Sequence, residues 1–191
     1  TLLNLISGFL TPQAGQVIWD GTDITQMGPG QRPFAMLFQD NNLFPHLTVA
    51  QNVGLGLRPD LKLSKDQTTE AELAIKRVGL AEYSDRKPGA LSGGQQSRAA
   101  LARLTVQHRP MLLLDEPFAA LGPALKNDML DQVSELARKT GATLLMITHD
   151  PEDARRIAPQ TILVADGKAE APRDTSALLD NPPPALAAYL G

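Results

Sequence analysis

Residues 91–117 read LSGGQQSRAALARLTVQHRPMLLLDEP, and this stretch decides the fold. It starts with a serine-glycine turn, continues as a helical pattern that Pro110 closes, and then enters four apolar residues at 111–114. An uninterrupted apolar run of this kind is typical of a strand that is buried on both faces of a parallel sheet. Asp115 and Glu116 follow the run directly. Because ligands of open sheets bind at the carboxyl ends of the strands, the stretch predicts an α/β fold with a site after residue 114.

The rest of the chain alternates between predicted strands and predicted helices. Apolar runs predict strands at 16–20, 34–38, 143–150 and 161–167. Helical periodicity predicts helices at 66–80, 123–141 and 151–158. This alternation is typical of β-α-β units, so we expect a parallel sheet.

Residues 40–90 differ from their surroundings, because they are first polar and loop-rich and then helical. We interpret them as an all-helical subdomain inserted into the sheet-containing core. The core then comprises residues 1–39 and 91–179, and residues 180–191 form a peripheral tail. The whole chain of 191 residues fits one such domain.

Composition excludes several classes of function. The net charge of -3 leaves no broad basic face for nucleic acid, so we expect no nucleic-acid partner. The absence of cysteine excludes disulfides and thiolate metal sites. No apolar run approaches the roughly 18 residues that a membrane-spanning helix needs, so any membrane role must come through a partner.

Three groups of residues are candidates for chemistry, and each also has a structural explanation. Asp115 is suited to hold Mg²⁺ together with phosphate oxygens, and Glu116 to orient an attacking water, but both could be solvated acids at a strand end. The turn at 92–94 points backbone N–H groups and a helix dipole at one spot, as an anion site or as a serine-capped turn. His149 ends an apolar run and Gln39 follows another, as phosphate contacts or as ordinary loop residues. We expect His46 and His108 to be surface residues.

The order of Gln39, LSGGQ at 91–95, LLLDEP at 112–117 and His149 resembles the nucleotide-binding subunit of ABC transporters over nearly the whole chain. The resemblance implies a P-loop NTPase-type parallel sheet core with an inserted all-helical ABC subdomain. It also implies that ATP and Mg²⁺ are the cofactors, and that the activity is ATP hydrolysis coupled to transport.

The resemblance assigns a role to each motif residue. Asp115 would hold Mg²⁺ with Gln39, which would also sense the nucleotide. Glu116 would polarise the hydrolytic water, and His149 would contact the γ-phosphate. In a homodimer that sandwiches two ATP molecules head-to-tail, the second copy would complete each site through the signature residues Ser92, Gly93, Gly94 and Gln95.

The opening TLLNLISGFL of residues 1–10 resembles the segment directly after the sequence GKS of the family's phosphate-binding loop. Thr1 would then be the threonine that commonly comes after that serine, and it is a candidate cofactor-binding residue. We therefore expect an N-terminally truncated chain that lacks the glycine loop and the strand before it. A chain of this kind is expected to be inactive by itself.

Two positions depart from the family pattern. Where the family usually has S-A-L-D after the acidic strand, this chain reads AALG at 119–122, so Gly122 replaces an aspartate that links the two sites of the dimer. After the signature, residues 95–98 read QQSR instead of QRQR, which is a milder change.

The segment DNNLFPHLTVAQNVGLGL at 40–57 is similar to the ATPase subunits of bacterial thiamine importers. Importers of iron(III) or polyamines are the near alternative. The resemblance implies transmembrane permease subunits and a periplasmic substrate-binding protein as partners, with the ATPase at the cytoplasmic face of the inner membrane. A soluble ABC ATPase of DNA repair or translation is a rival, which the acidic balance and the single cassette disfavour. A non-enzymatic truncated remnant is the other rival.

Overall fold

The computed structural model of the protein describes residues 2–119 and 121–190. The helices are α1 (Leu2–Ser7), α2 (Val49–Gly54), α3 (Lys65–Arg77), α4 (Gly93–Thr105), α5 (Pro123–Thr140), α6 (Pro151–Ile157), α7 (Thr175–Asp180) and α8 (Pro184–Leu190). The strands are β1 (Ile18–Trp19), β2 (Thr22–Asp23), β3 (Phe34–Leu37), β4 (Met111–Asp115), β5 (Thr143–Ile147), β6 (Gln160–Thr161), β7 (Val164–Ala165), β8 (Lys168–Ala169) and β9 (Arg173–Asp174).

A parallel sheet with the strand order β3-β4-β5 forms the centre of the molecule. The middle strand β4 is buried between its neighbours, and Leu113 and Leu114 have no exposed surface. Leu37 pairs with Leu114, and Asp115 pairs with Ile147, so all three strands end at nearly the same level. The α/β class with a parallel sheet is thus confirmed. The loops that come after the three strands meet at one edge.

The strands predicted at 16–20 and 161–167 are present as short strands, but they do not join this parallel sheet. Within 16–20, Ile18–Trp19 form one strand of the antiparallel hairpin β1-β2. Within 161–167, Val164–Ala165 form one strand of the antiparallel hairpin β7-β8, and Thr161 belongs to β6, which pairs with β9. The reason is the Asp-Gly pair that connects the two strands of each hairpin, Asp20-Gly21 and Asp166-Gly167, with φ values of 47°, 74°, 50° and 74°. Two successive left-handed residues form the tight turn that reverses a chain.

The segment between β3 and α4 is helical, as predicted. Helices α2 and α3 pack against α4, and α4 in turn contacts β3 and α5. The shared core includes the buried side chains of Val53 in α2, Ile75 in α3 and Leu101 in α4. Helix α4 therefore joins the helical segment to the sheet. No helix in the part of the chain that the structure describes is long and apolar enough to cross a membrane.

The buried side chain of Arg32 holds α1 in place. Only 1% of this residue is exposed, and its guanidinium donates hydrogen bonds to four backbone carbonyls. Two of them, those of Leu5 and Ile6, belong to α1 and lie 2.8 and 2.6 Å from Nη1. The others belong to Thr25 and Met27, each at 2.9 Å. A helix of six residues leaves most of its carbonyls without an intrahelical partner, so this arginine acts as a remote C-cap.

Replacing Arg32 with methionine is expected to lower the free energy of unfolding by about 3 kcal/mol or more, because the four carbonyls lose their donors in a buried environment. Arg58→Met is the matched control. Arg58 pairs with Asp60 on the surface, so its loss is expected to leave the free energy of unfolding nearly unchanged. Urea denaturation of both variants measures the difference. Equal effects would show that Arg32 does not stabilise the fold in this way.

Candidate functional site

The site lies where the three parallel strands end. Gln39 follows β3 after one residue, Asp115 is the last residue of β4, and His149 follows β5 after one residue. Asp115 and Glu116 are half-buried, whereas Gln39 and His149 are exposed. The structure therefore brings the candidate acids, the amide and the imidazole to one edge of the sheet, because the strands are parallel and in register.

Glu116 and His149 form the central contact of this edge. Nδ1 of His149 lies 3.0 Å from Oε2 of Glu116. The backbone of Glu116 has a φ of 44°, which is uncommon for a residue with a side chain, and its N–H donates to the carbonyl of Ile147 at 3.0 Å. Strained backbone of this kind is often found where function fixes a side chain. On the other side, the hydroxyl of Tyr189 donates to the carbonyl of His149 at 2.8 Å.

Asp115 and Glu116 place carboxylate oxygens at this edge of the sheet. Among the described residues, no group of three or more histidines and acids forms a metal site. Mg²⁺ commonly takes only one or two carboxylates and completes its shell with phosphate oxygens and water. The donor set therefore fits Mg²⁺ that is bound together with a phosphate group.

The turn at Ser92 begins α4 with a capping box. Oγ of Ser92 accepts a hydrogen bond from the N–H of Gln95 at 3.3 Å, and Oε1 of Gln95 accepts one from the N–H of Ser92 at 2.8 Å. The structural role of Ser92 as a helix cap is therefore present. Its hydroxyl acts only as an acceptor in the cap, so the hydroxyl proton remains available to an anion. Gln95 uses its side-chain oxygen in the cap.

The two glycines of the turn have different surroundings. A Cβ on Gly94 would lie 2.4 Å from Cδ2 of Leu125, so a larger residue there would require the Leu125 side chain to move. A Cβ on Gly93 would meet nothing within 4 Å among the described residues. The open space beside Gly93 allows an outside group to approach the backbone of this turn.

The candidate residues line two neighbouring depressions in the surface. A cleft of about 290 Å³ has Gln39, Gly93, Gly94 and Gly122 in its lining. A smaller pocket contains Glu116 and His149 together with Lys126. Gln39 therefore shares a cleft with the signature turn, and Glu116 shares a pocket with His149.

Sequence reasoning missed Lys126. Its Nζ lies 2.6 Å from Oδ2 of Asp150 and 2.6 Å from Oδ1 of Asp153. Desolvation by burial lowers the pKa of Lys126, but its hydrogen bonds to the two carboxylates outweigh this effect, so the pKa is raised overall. The hydrogen bond from Lys126 holds the pKa of Asp150 below its usual value of 3.8. A lysine near the N-terminus of a helix is unfavourable to the helix dipole, but its acidic partners are distant in sequence and no local pattern names them.

Sequence reasoning also missed Arg103. From the last turn of α4, its guanidinium donates to the carbonyls of Asn41 and Asn42 at 2.9 and 2.7 Å. Both asparagines have positive φ values, 58° and 43°, so this loop conformation is held by the arginine. The segment after Gln39 is therefore attached to the signature helix.

The other two histidines lie at the surface. His46 and His108 are exposed, as predicted, and His108 pairs with Glu70 at the surface. Thr1, the candidate cofactor-binding residue at the start of the chain, lies outside the described residues.

Replacing Gly122 with aspartate is expected to raise the free energy of unfolding by about 0.3–1 kcal/mol. Gly122 is the N-cap of α5 with φ -66° and ψ 154°, a conformation that any residue adopts, and no described neighbour within 4 Å obstructs a Cβ. An aspartate there adds a carboxylate that accepts from a free N–H and interacts well with the helix dipole. Gly122→Ala adds no acceptor and is the control. Thermal unfolding compares the two, and equal stabilities would contradict the capping argument.

The Lys126–Asp150 pair makes stability depend on pH at both extremes. The pKa of Asp150 is lowered by folding, so its contribution is present above the unfolded-state pKa of about 3.9 and is lost as the pH falls through the lower folded value. The pKa of Lys126 is raised, so its contribution is present below the unfolded-state pKa of about 10.4 and is lost above the folded value.

We therefore expect the stability difference between the wild type and Lys126→Met to stay level from about pH 5 to 9 and to shrink below about pH 4. Urea denaturation at a series of pH values measures it. A difference that grows on acidification would contradict the assignment of the ion pair.

The chain is similar to known proteins along its whole length. A family model described as ABC transporter matches residues 1–119. The chain is 61% identical over 191 residues to the thiamine import ATP-binding protein ThiQ of Cereibacter sphaeroides, covering 100% of this chain and 83% of the relative. It is 63% identical over 191 residues to the protein of the same name from a Ruegeria species, with the same coverage.

A third relative, the thiamine import ATP-binding protein ThiQ of Escherichia coli K12, is 54% identical over 168 residues, which is 88% of this chain and 72% of the relative. The match to the family model covers more than half of the chain, and the identities extend over nearly all of it. This chain therefore belongs to the ABC transporter family.

Proposed function

We propose that the chain is the ATP-binding subunit of a bacterial ABC importer whose substrate is thiamine. Family membership implies ATP binding. The choice of thiamine as the substrate rests on two relatives that are named thiamine import ATP-binding proteins. They are 61% and 63% identical to this chain along its whole length. The meeting of Glu116 and His149 at the carboxyl edge supports the hydrolytic part of the proposal.

In this proposal Glu116 orients the attacking water. Its carboxylate only accepts hydrogen bonds, so the Nδ1 that faces it at 3.0 Å carries the hydrogen of His149. The Nε2 of the same ring remains for the contact with the γ-phosphate that this proposal assigns to His149.

Asp115 and Gln39 are the residues that would hold Mg²⁺ at this edge. When bound, the cation neutralises charge that develops on the phosphate oxygens. Phosphoryl transfer depends mainly on positioning and on charge stabilisation, and these residues provide oxygens at the end of adjacent strands.

The signature turn acts on ATP that a second copy of the chain holds. Three features support this part of the proposal: the free hydroxyl proton of Ser92, the open space at Gly93, and the dipole of α4, which has 13 residues. Gln95 supports the turn through the capping box. Two copies would then form a homodimer with two composite sites.

Transport requires partners in the membrane. We propose permease subunits and a periplasmic substrate-binding protein, with this chain at the cytoplasmic face of the inner membrane. The core of residues 1–39 and 91–179 would close around ATP, the helical subdomain of residues 40–90 would transmit the closure to the permease, and residues 180–191 would form a tail.

Uptake of labelled thiamine tests the proposal. Bacteria that lack the corresponding gene are complemented with the full gene product, and uptake is expected to return. Glu116→Gln, which keeps the shape of the side chain and removes its charge, is expected to lower ATP hydrolysis and uptake by at least about 10²-fold. Glu72→Gln, on the exposed face of α3, is the matched control and is expected to behave as wild type.

Two further experiments test the alternative substrates and the need for the phosphate-binding loop. If the gene product restores uptake of iron(III) or of a polyamine and not of thiamine, the proposed substrate is wrong. The proposed role as the ATPase subunit of an importer would then still hold. A polypeptide of residues 1–191 alone contains no G-x-x-x-x-G-K-S/T loop and is expected to show no Mg²⁺-dependent hydrolysis. Turnover by that polypeptide would contradict the expectation that the loop is required.

A further inference from the structure

Lys126 lies in the first part of α5 and is almost enclosed by acidic side chains of the loop and helix after β5. Only 16% of its side chain is exposed, and its ammonium contacts one carboxylate oxygen of Asp150 and one of Asp153. Asp153 is itself 10% exposed at its side chain. Two of the three ammonium hydrogens are therefore engaged within the protein.

The two acids hold the residues on either side of His149. Asp150 follows His149, and its Oδ1 caps α6 by accepting from the N–H of Glu152 at 3.0 Å. Oδ2 of Asp153 accepts from the hydroxyl of Thr148, the residue before His149, at 2.7 Å. Oγ1 of Thr148 in turn accepts from the N–H of Asp150 at 3.0 Å. One ammonium thus fixes both neighbours of the histidine.

We propose that Lys126 is a positioning residue that sets the imidazole of His149 against Glu116. It lines the same pocket as these two residues, but its hydrogen bonds go to Asp150 and Asp153, so it acts through them. The role in catalysis rests on the proposed function, whereas the effect on the geometry of His149 does not.

The direct contacts of His149 itself are exposed and are therefore weak supports. Besides the ammonium, the structure gives His149 the contact with Glu116 and the hydrogen bond from Tyr189, whose side chain is largely exposed. An exposed hydrogen bond contributes little to order, because water replaces it readily. Without the ammonium, two carboxylates face each other beside α5, and their repulsion displaces Asp150 from the position that aligns His149.

A direct test is the position of the His149 ring in solution. The chain has only three histidines, so NMR of the protein labelled at histidine yields three sets of ring signals, and those of His46 and His108 serve as internal references. Lys126→Met keeps the length of the side chain and removes the charge. It is expected to shift the ring signals of His149 and to leave the other two in place.

Two companion variants separate positioning from general effects on α5. Lys126→Arg keeps the charge and is expected to restore the signals of His149 close to those of the wild type. Lys139→Met removes an exposed lysine from the same helix, where it pairs with Glu135, and is expected to change none of the three rings. Circular dichroism checks that all variants are folded.

The kinetic test uses the full gene product and the same variants. Lys126→Met is expected to lower kcat for ATP hydrolysis by about 10- to 100-fold with less than about 3-fold change in KM, because a misplaced group affects the reacting geometry more than binding. Lys126→Arg is expected to recover most of kcat, and Lys139→Met to match the wild type.

Each outcome decides a separate question. Unchanged His149 signals in folded Lys126→Met, or a kcat equal to that of Lys139→Met, would overturn the positioning role. Shifted His149 signals in a gene product whose wild type does not hydrolyse ATP would overturn the proposed function and leave the geometric role of Lys126 intact.

Discussion

The parallel register of three strands is the constraint on which the rest of the structure depends. Because β3, β4 and β5 run in the same direction and end at nearly the same level, residues separated by more than a hundred positions in the chain meet at one edge. Gln39, Asp115 and His149 owe their proximity to backbone hydrogen bonds and not to any attraction between their side chains. A shift of one residue in the pairing of β4 with β5 would turn Glu116 away from His149.

Around this edge, the protein uses long cationic side chains to fix loops. Arg32 holds the end of α1, Arg103 holds the loop after Gln39, and Lys126 holds the loop around His149. For Arg103 and Lys126, the donor lies on a helix and the acceptors lie outside that helix. Loops that carry functional side chains are thus anchored to the helices behind them, and the helices are anchored to the sheet by apolar packing.

The sequence predicts the parts of the fold that depend on local patterns. The apolar run of β4 is long enough to identify a buried strand, and Ser92 with Gln95 identifies the start of α4, because these signals need only a few neighbouring residues. The hairpins at Asp20-Gly21 and Asp166-Gly167 escape prediction from apolar runs alone, although the Asp-Gly pair is a strong local turn signal. The contacts of Arg32, Arg103 and Lys126 cannot be read from local patterns, since their partners are backbone carbonyls or acids distant in sequence.

The candidate site, too, is only partly predictable from local sequence patterns. Glu116 and His149 can be named from the sequence because each follows an apolar run, but their 3.0 Å contact depends on strand order, which the sequence leaves open. The separation of the signature turn from the Glu116–His149 pocket is likewise a property of the folded chain.

The attachment of Asn41 and Asn42 to Arg103 has a mechanical consequence. The same loop borders the cleft beside Gly93 and Gly94, at the other end of α4 from Arg103. A helix of 13 residues is about 20 Å long. We therefore expect a movement that begins at Gln39 to displace α4 as a rigid body.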